Sequence, residues 1–283
     1  MVTSQVEHAA NGVPPASEPG PPGLPPRWPV WFGPAAFLSG LVCTLIAFAI
    51  VGVVVAATGN KLATSGPGIE IGGTLVQDGF FVAAAVAFAA SVAPPRPWQF
   101  GLKGAPLVPT LKGAAAALGA FYVFVALYTG LLHPHGHQSV AKDLGATNGG
   151  LDMVLGGILV VAIAPAAEEF FFRGFFYRAL RSRFSMLAAA LIDAVVFGAI
   201  HYTDPKTLSL LPILAVLGFL FCVLYERTGT LFATIALHAI NNGIAYGGTV
   251  HGSGGLSAGL VAGVLVACGL ALRLVPGRAP LLR

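Results

Sequence analysis

Charged side chains are scarce: Asp, Glu, Lys and Arg make up 9% of the 283 residues, and hydrophobic ones 56%. A soluble domain carries about 25% charged residues, so this chain has too few to cover a water-facing surface. The mean hydropathy of +0.82 agrees. The net charge is only +4, and the basic residues form no stripe with interleaved aromatics, which argues against a nucleic-acid partner. Cysteine is also rare. Cys43, Cys222 and Cys268 each lie inside an apolar run, too scattered for a metal framework and too deep for a disulfide. They read as small core residues.

What is abundant is apolar sequence in lengths of roughly 20 residues, enough to span a bilayer as helix. Such segments fall near 31–57, 72–94, 107–132, 150–180, 184–203, 207–226, 229–247 and 254–275. The expected fold is all-α, a polytopic transmembrane helix bundle of about eight spans. Residues 1–29 include the stretch NGVPPASEPGPPG, whose apolar area is too small to fold alone, and read as a disordered Pro-rich tail. Beyond it the chain divides into N-terminal transmembrane helices (30–148), a polar-bearing helical region (149–250) and a last helix with a basic C-terminus (251–283). No soluble domain and no internal repeat is evident.

Lysine and arginine set the expected orientation. With the tail inside, cytoplasmic segments hold eleven: Arg27, Arg96, Lys103, Lys112, Arg178, Arg181, Arg183, Arg227, Arg273, Arg278 and Arg283. External loops hold three: Lys61, Lys142 and Lys206. The positive-inside rule then places both termini in the cytoplasm, consistent with an even number of spans.

An ionisable group inside a span costs about 2.5–3.5 kcal/mol on insertion scales and calls for a reason. The fourth span carries the densest set, in AAEEFFFRG (166–174). Glu169 and Arg173 are four residues apart and about 40° from each other on a helix, so they pair. Glu168 points about 140° away from Arg173 and is left free, as a general base requires. In the fifth span, FGAIH (197–201) puts Phe197 and His201 on one face, the ring shaping the pocket that receives the imidazole. In the seventh, HAINN (238–242) puts His238 and Asn242 side by side. Each motif alone has a plain structural reading as interhelical hydrogen bonding. Together, a free carboxylate, two histidines and an amide supply a base, a proton shuttle and oxyanion donors. Asp78 and Asp193 are further acidic residues at depth, either of which fits a cavity lining, with Asp193 near His201. His133, His135 and His137 read as a solvated external loop.

EEFFFRG, FGAIH and HAINN, in this order, resemble the EExxxR, FxxxH and HxxxN motifs of the CAAX-processing and bacteriocin-processing (CPBP) intramembrane proteases, which include the Ras-converting endopeptidases. The stretch Leu217–Asn242 resembles the family's approach to its last motif, and the likeness spans roughly residues 150–247. The resemblance implies an intramembrane endopeptidase acting on a membrane-associated protein or peptide. Glu168 and His201 would activate water, His238 and Asn242 would stabilise the oxyanion, and Glu169 and Arg173 would support the site. The favoured mechanism is metal-free; the alternative is a zinc held by Glu168, His201 and His238 with one open place, although no HExxH helix is present. Two other functions compete. One is a non-catalytic membrane scaffold or immunity protein of the same family. The other is a proton- or cation-coupled transporter, which would call for repeat symmetry. Short loops and composition point to a bacterial plasma membrane; the substrate's identity is not written in the sequence.

Overall fold

The computed structural model describes residues 28–59, 66–134, 140–249 and 254–277, and among these every regular element is helical. The long helices are α1 (Phe32–Ala57), α2 (Pro67–Ala90), α3 (Leu107–Leu132), α4 (Gly150–Arg181), α5 (Met186–Ala199), α6 (Leu211–Thr228), α7 (Leu231–Thr249) and α8 (Gly254–Leu274). The Pro-rich tail through residue 27, and His135 and His137, lie outside the described residues.

The eight expected segments are all present as helix, but among the described residues only six elements are long and apolar enough to cross a membrane. The exceptions are the two that were expected to carry histidines. Helix α5 has 14 residues, a length of about 21 Å, short of a hydrocarbon core of about 30 Å. Helix α7 has 19 residues, but His238, Asn241 and Asn242 dilute its apolar character. The chain is an integral, multi-pass membrane protein by this architecture.

The outward faces are apolar, as lipid demands: Leu131 and Leu274 are each 76% exposed and Val53 is 69% exposed. Cys222 and Cys268 are buried as expected, but Cys43 is not; it sits on the exposed face of α1. A small, weakly polar thiol is tolerated against lipid, and the apolar run around it could not reveal which face it takes.

Packing inside the bundle is largely aromatic and fixes the rotation of α4. Consecutive phenylalanines reach different neighbours: Phe170 stacks on Phe100 at 4.6 Å, Phe171 meets Phe81 of α2 at 4.8 Å, and Phe172 meets Phe197 of α5 edge-on at 5.3 Å. Such pairs contribute about 0.5–1.5 kcal/mol each beyond area burial. Trp28 packs between Phe100 and Phe175, and Arg178 lies over its indole ring. Helices α7 and α8 approach closely at Gly243, where a Cβ would collide with Val261. Gly243→Leu is therefore expected to pry α8 from α7 and lower the yield of monodisperse protein in detergent; Gly259→Ala on α8, where a Cβ meets open space, is expected to leave that yield unchanged.

The basic residues Lys103, Arg178 and Arg181 lie at one end of the bundle. There the Thr230 hydroxyl donates to the Lys103 carbonyl (2.7 Å), and Arg181 pairs with Glu226 (2.8 Å). The segment around Phe100 is recessed from that end, since Gly174 lies against the Phe100 carbonyl and Leu231 N–H donates to Gly101 O at 2.9 Å. Helix α7 thus begins at the depth of Gly174. Six residues then separate Gly174 from Glu168 and seven separate Leu231 from His238, which brings these two side chains level.

Candidate active site

Helix α4 is not a regular α-helix. Two π-helical turns, Leu159–Ile163 and Phe172–Phe176, bracket the α-helical stretch Ala164–Phe171 that holds both glutamates. π-turns cost hydrogen-bond geometry and occur often at functional sites. The first has a local cause. Ala164 N–H donates to Leu159 O, five residues back, so the next donor in that pattern is residue 165, a proline without an N–H. The Val160 carbonyl is left over, and Asn242 Nδ2 of α7 donates to it at 3.0 Å. A bulge in one helix thereby fixes an amide on another, and one Asn242 N–H remains for a further acceptor.

An ordered chain of charge runs through the site. Arg173, fully buried, donates from Nη1 to Glu169 Oε1 (2.9 Å), and its Nη2 lies 3.4 Å from Asp193 Oδ2 and donates to Gly218 O (3.0 Å). Glu169 and Asp193 are equally inaccessible. The guanidinium also lies over the Phe197 ring at 4.4 Å and near Phe221 at 5.0 Å, contacts suited to a cation in apolar surroundings. Close approach to the α6 backbone requires Gly218, where a Cβ would sit 3.0 Å from Arg173 Nη2. Glu169 Oε1 accepts in turn from His238 Nδ1 (3.0 Å). A carboxylate accepts only, so Nδ1 carries the proton and the ring is held with Nε2 facing the other way. There, 3.9 Å off, lies Glu168 Oε2, which is buried and has no hydrogen-bond partner.

Glu168 also lines a small cleft with Gln77, Asp78 and Phe81 of α2, Ala167, Phe171 and Phe172 of α4, and Ile200 at the end of α5. Among the expected residues, Glu168, Glu169, Arg173 and His238 are thus joined by direct contacts, while Asn242, one turn beyond His238 on α7, meets α4 at Val160. His201 stands one step away. Its Nδ1–H donates to Phe197 O (2.7 Å), leaving Nε2 as an acceptor, and it meets the others through Phe197, whose ring centroid is 4.9 Å from His201 and 5.9 Å from His238. The two aspartates separate: Asp78 reaches the cleft, while Asp193 lies behind the site on Arg173, where Cys222 Sγ also donates to it (3.2 Å).

A zinc held by Glu168, His201 and His238 does not fit this arrangement. Among the described residues no three His, Cys, Asp or Glu side chains gather as a metal-ligating group, and His201 forms its contacts with Phe197 instead.

Sequence reasoning did not reach the Glu169–His238 bond or the Asn242–Val160 bond. The second had a readable signal in Pro165, which orphans a carbonyl within its own helix. An unsatisfied buried carbonyl costs about 1–3 kcal/mol. Asn242→Ala is expected to destabilise the protein by about that amount, and Pro165→Ala in the same chain to recover much of it by restoring an N–H; thermal unfolding in detergent measures both.

Residues 150–244 match the family model described as type II CAAX prenyl endopeptidase Rce1-like. The chain is also 35% identical over 80 residues to YdiL of Bacillus subtilis (strain 168), named as a candidate membrane peptidase; the match spans 28% of this chain and 31% of that relative. No solved structure matches the chain. The part of this multi-pass membrane protein that is similar to the Rce1-like family, residues 150–244, thus holds all of Glu168, Glu169, Arg173, Phe197, His201, His238 and Asn242.

Proposed function

We propose that the protein is an intramembrane endopeptidase that hydrolyses a peptide bond of a membrane-associated peptide or protein with a water activated by Glu168. The observation that carries this reading is Glu168 Oε2: buried at the inner end of a partly exposed side chain, without a hydrogen-bond partner, on a cleft, and 3.9 Å from a histidine nitrogen whose ring is fixed from its far side. A base within reach of a water, beside a fixed polar donor, is the minimum that acyl-group hydrolysis requires.

In this mechanism Glu168 takes a proton from water as the oxygen attacks the scissile carbonyl carbon. His201 Nε2, free to accept, orients that water from the α5 side. The developing oxyanion is met by the uncommitted N–H of Asn242 and by His238. With Nδ1–H engaged by Glu169, His238 presents Nε2 toward Glu168 and the same space. Removing one oxyanion donor costs about 10²–10³ in kcat. The substrate enters as an extended segment, because a peptide bond inside a helix is shielded by its own turn.

Detergent-purified protein incubated with a quenched fluorescent peptide library tests the reading, beside ion flux from liposomes holding the same protein. Cleavage without flux is expected. Flux that Glu168→Gln abolishes, with no cleavage, would instead make the site a proton or cation relay, and neither signal would leave a scaffold.

A further inference from the structure

The cleft holds a second acid that the scheme above leaves idle. Asp78, on α2, is 6% exposed, lines the same cleft as Glu168, and its Oδ2 has no hydrogen-bond partner. Of the residues lining the cleft, only Asp78 and Glu168 are ionisable, and no Lys or Arg is among them. Two carboxylates sharing one small cleft oppose each other's ionisation unless a cation lies between them. His238 Nε2 faces Glu168 at 3.9 Å, whereas no basic side chain among those lining the cleft faces Asp78. The proton of the pair therefore rests on Asp78.

Peptide hydrolysis needs such a proton. The amine expelled from the tetrahedral intermediate is far too basic to leave as an anion, so its nitrogen must be protonated as the C–N bond breaks. Glu168, having just taken the water proton, sits beside His238 on the face from which the water attacks. Asp78 comes from a different helix, α2, on the other wall of the cleft.

We propose that Asp78 is a catalytic residue, the general acid that protonates the leaving nitrogen, working opposite Glu168 as base. The step balances. Water gives one proton to the Glu168 carboxylate and its oxygen bonds to the carbonyl carbon. The oxyanion then re-forms C=O, the C–N bond breaks, and the nitrogen takes the Asp78 proton. Glu168–COOH and Asp78–COO⁻ remain, and transfer of one proton across the cleft restores the starting state. This inference rests on the peptidase reading. It departs from a scheme in which one glutamate carries the proton both ways, and it explains why an acidic residue is kept at depth on a helix outside the Rce1-like region.

The test compares amide and ester substrates of one sequence, since an ester's alkoxide or phenolate departs with less need of a proton. In Asp78→Asn the amide-to-ester rate ratio is expected to fall by about 10²; in Glu168→Gln both rates fall together. An unchanged ratio in Asp78→Asn, whether both rates persist or both fall equally, overturns the proposal. Infrared spectra of resting protein at neutral pH supply an arm independent of turnover. A carboxylic-acid C=O stretch is expected that vanishes in Asp78→Asn and persists in Glu168→Gln; its absence, or its survival in Asp78→Asn, overturns the assignment even if the wild type cleaves no peptide, an outcome that would by itself count against the peptidase reading. Should Asp78→Asn fail to fold, Asp78→Glu keeps an acid in place and is expected to retain the ratio and shift the band.

Discussion

Arg173→Ala is expected to abolish the folded protein, leaving little or no monodisperse material after extraction, whereas Arg173→Lys is expected to fold but unfold at a lower temperature. The guanidinium is fully buried and neutralises two carboxylates that are themselves inaccessible, Glu169 and Asp193. Deleting it strands both. Breaking a buried pair costs about 3–5 kcal/mol because a bare charge remains, and here two remain in a medium that hydrates neither. Against a total stability of about 5–15 kcal/mol, that loss is decisive. Lysine restores the charge but not the fork: one ammonium cannot reach Glu169, Asp193 and the Gly218 carbonyl together as Nη1 and Nη2 do. Removing the acids as well should relieve the defect. Arg173→Met combined with Glu169→Gln and Asp193→Asn is expected to recover folded protein, without activity, because Glu169 no longer orients His238.

Glu168→Gln is expected to reduce cleavage by about 10³-fold or more while leaving thermal stability within about 1 kcal/mol of wild type. General-base catalysis contributes typically 10²–10⁴, and the amide, isosteric with the acid, cannot take a proton from water. The fold should hardly notice, since Glu168 Oε2 forms no hydrogen bond that the substitution would break. The contrast with its neighbour is the diagnostic feature. Glu169→Gln weakens the pair with Arg173 and the bond to His238 together, so it should lower stability and activity alike. Two adjacent glutamates thus part cleanly, one chemical and one architectural, and measuring rate and unfolding temperature on both variants checks it.

The pairing of Glu169 with Arg173 was legible in AAEEFFFRG. Four-residue spacing pairs Glu169 with Arg173 and turns Glu168 away, a local consequence of helix geometry that the structure reproduces at 2.9 Å. The helical, membrane-spanning character followed equally from apolar run lengths. What the sequence obscured was non-local. Which helix faces Arg173 on its far side depends on how α5 and α6 pack, so Asp193 read as a neighbour of His201 when it serves Arg173. Asp78 looked like one more charge at depth, because nothing in α2 says which wall of which cleft it meets. The π-turns left no trace in hydropathy; only Pro165 hinted at the first. The short α5 was counted as an ordinary span because apolar sequence alone does not show that its helix stops at Ala199, and α7 because its apolar run hides the weight of His238, Asn241 and Asn242.

The most direct test of the central claim, a water activated by Glu168 without a metal, is single-turnover cleavage of one identified peptide in ¹⁸O-labelled water. Wild type, Glu168→Gln and His238→Ala would be compared before and after exhaustive chelation. The account predicts label in the new carboxyl terminus, a wild-type rate unaffected by the chelator, and losses of at least about 10²-fold in both variants. Loss of wild-type cleavage on chelation with recovery on adding zinc would contradict the metal-free mechanism, and cleavage surviving in both variants would remove Glu168 and His238 from the chemistry.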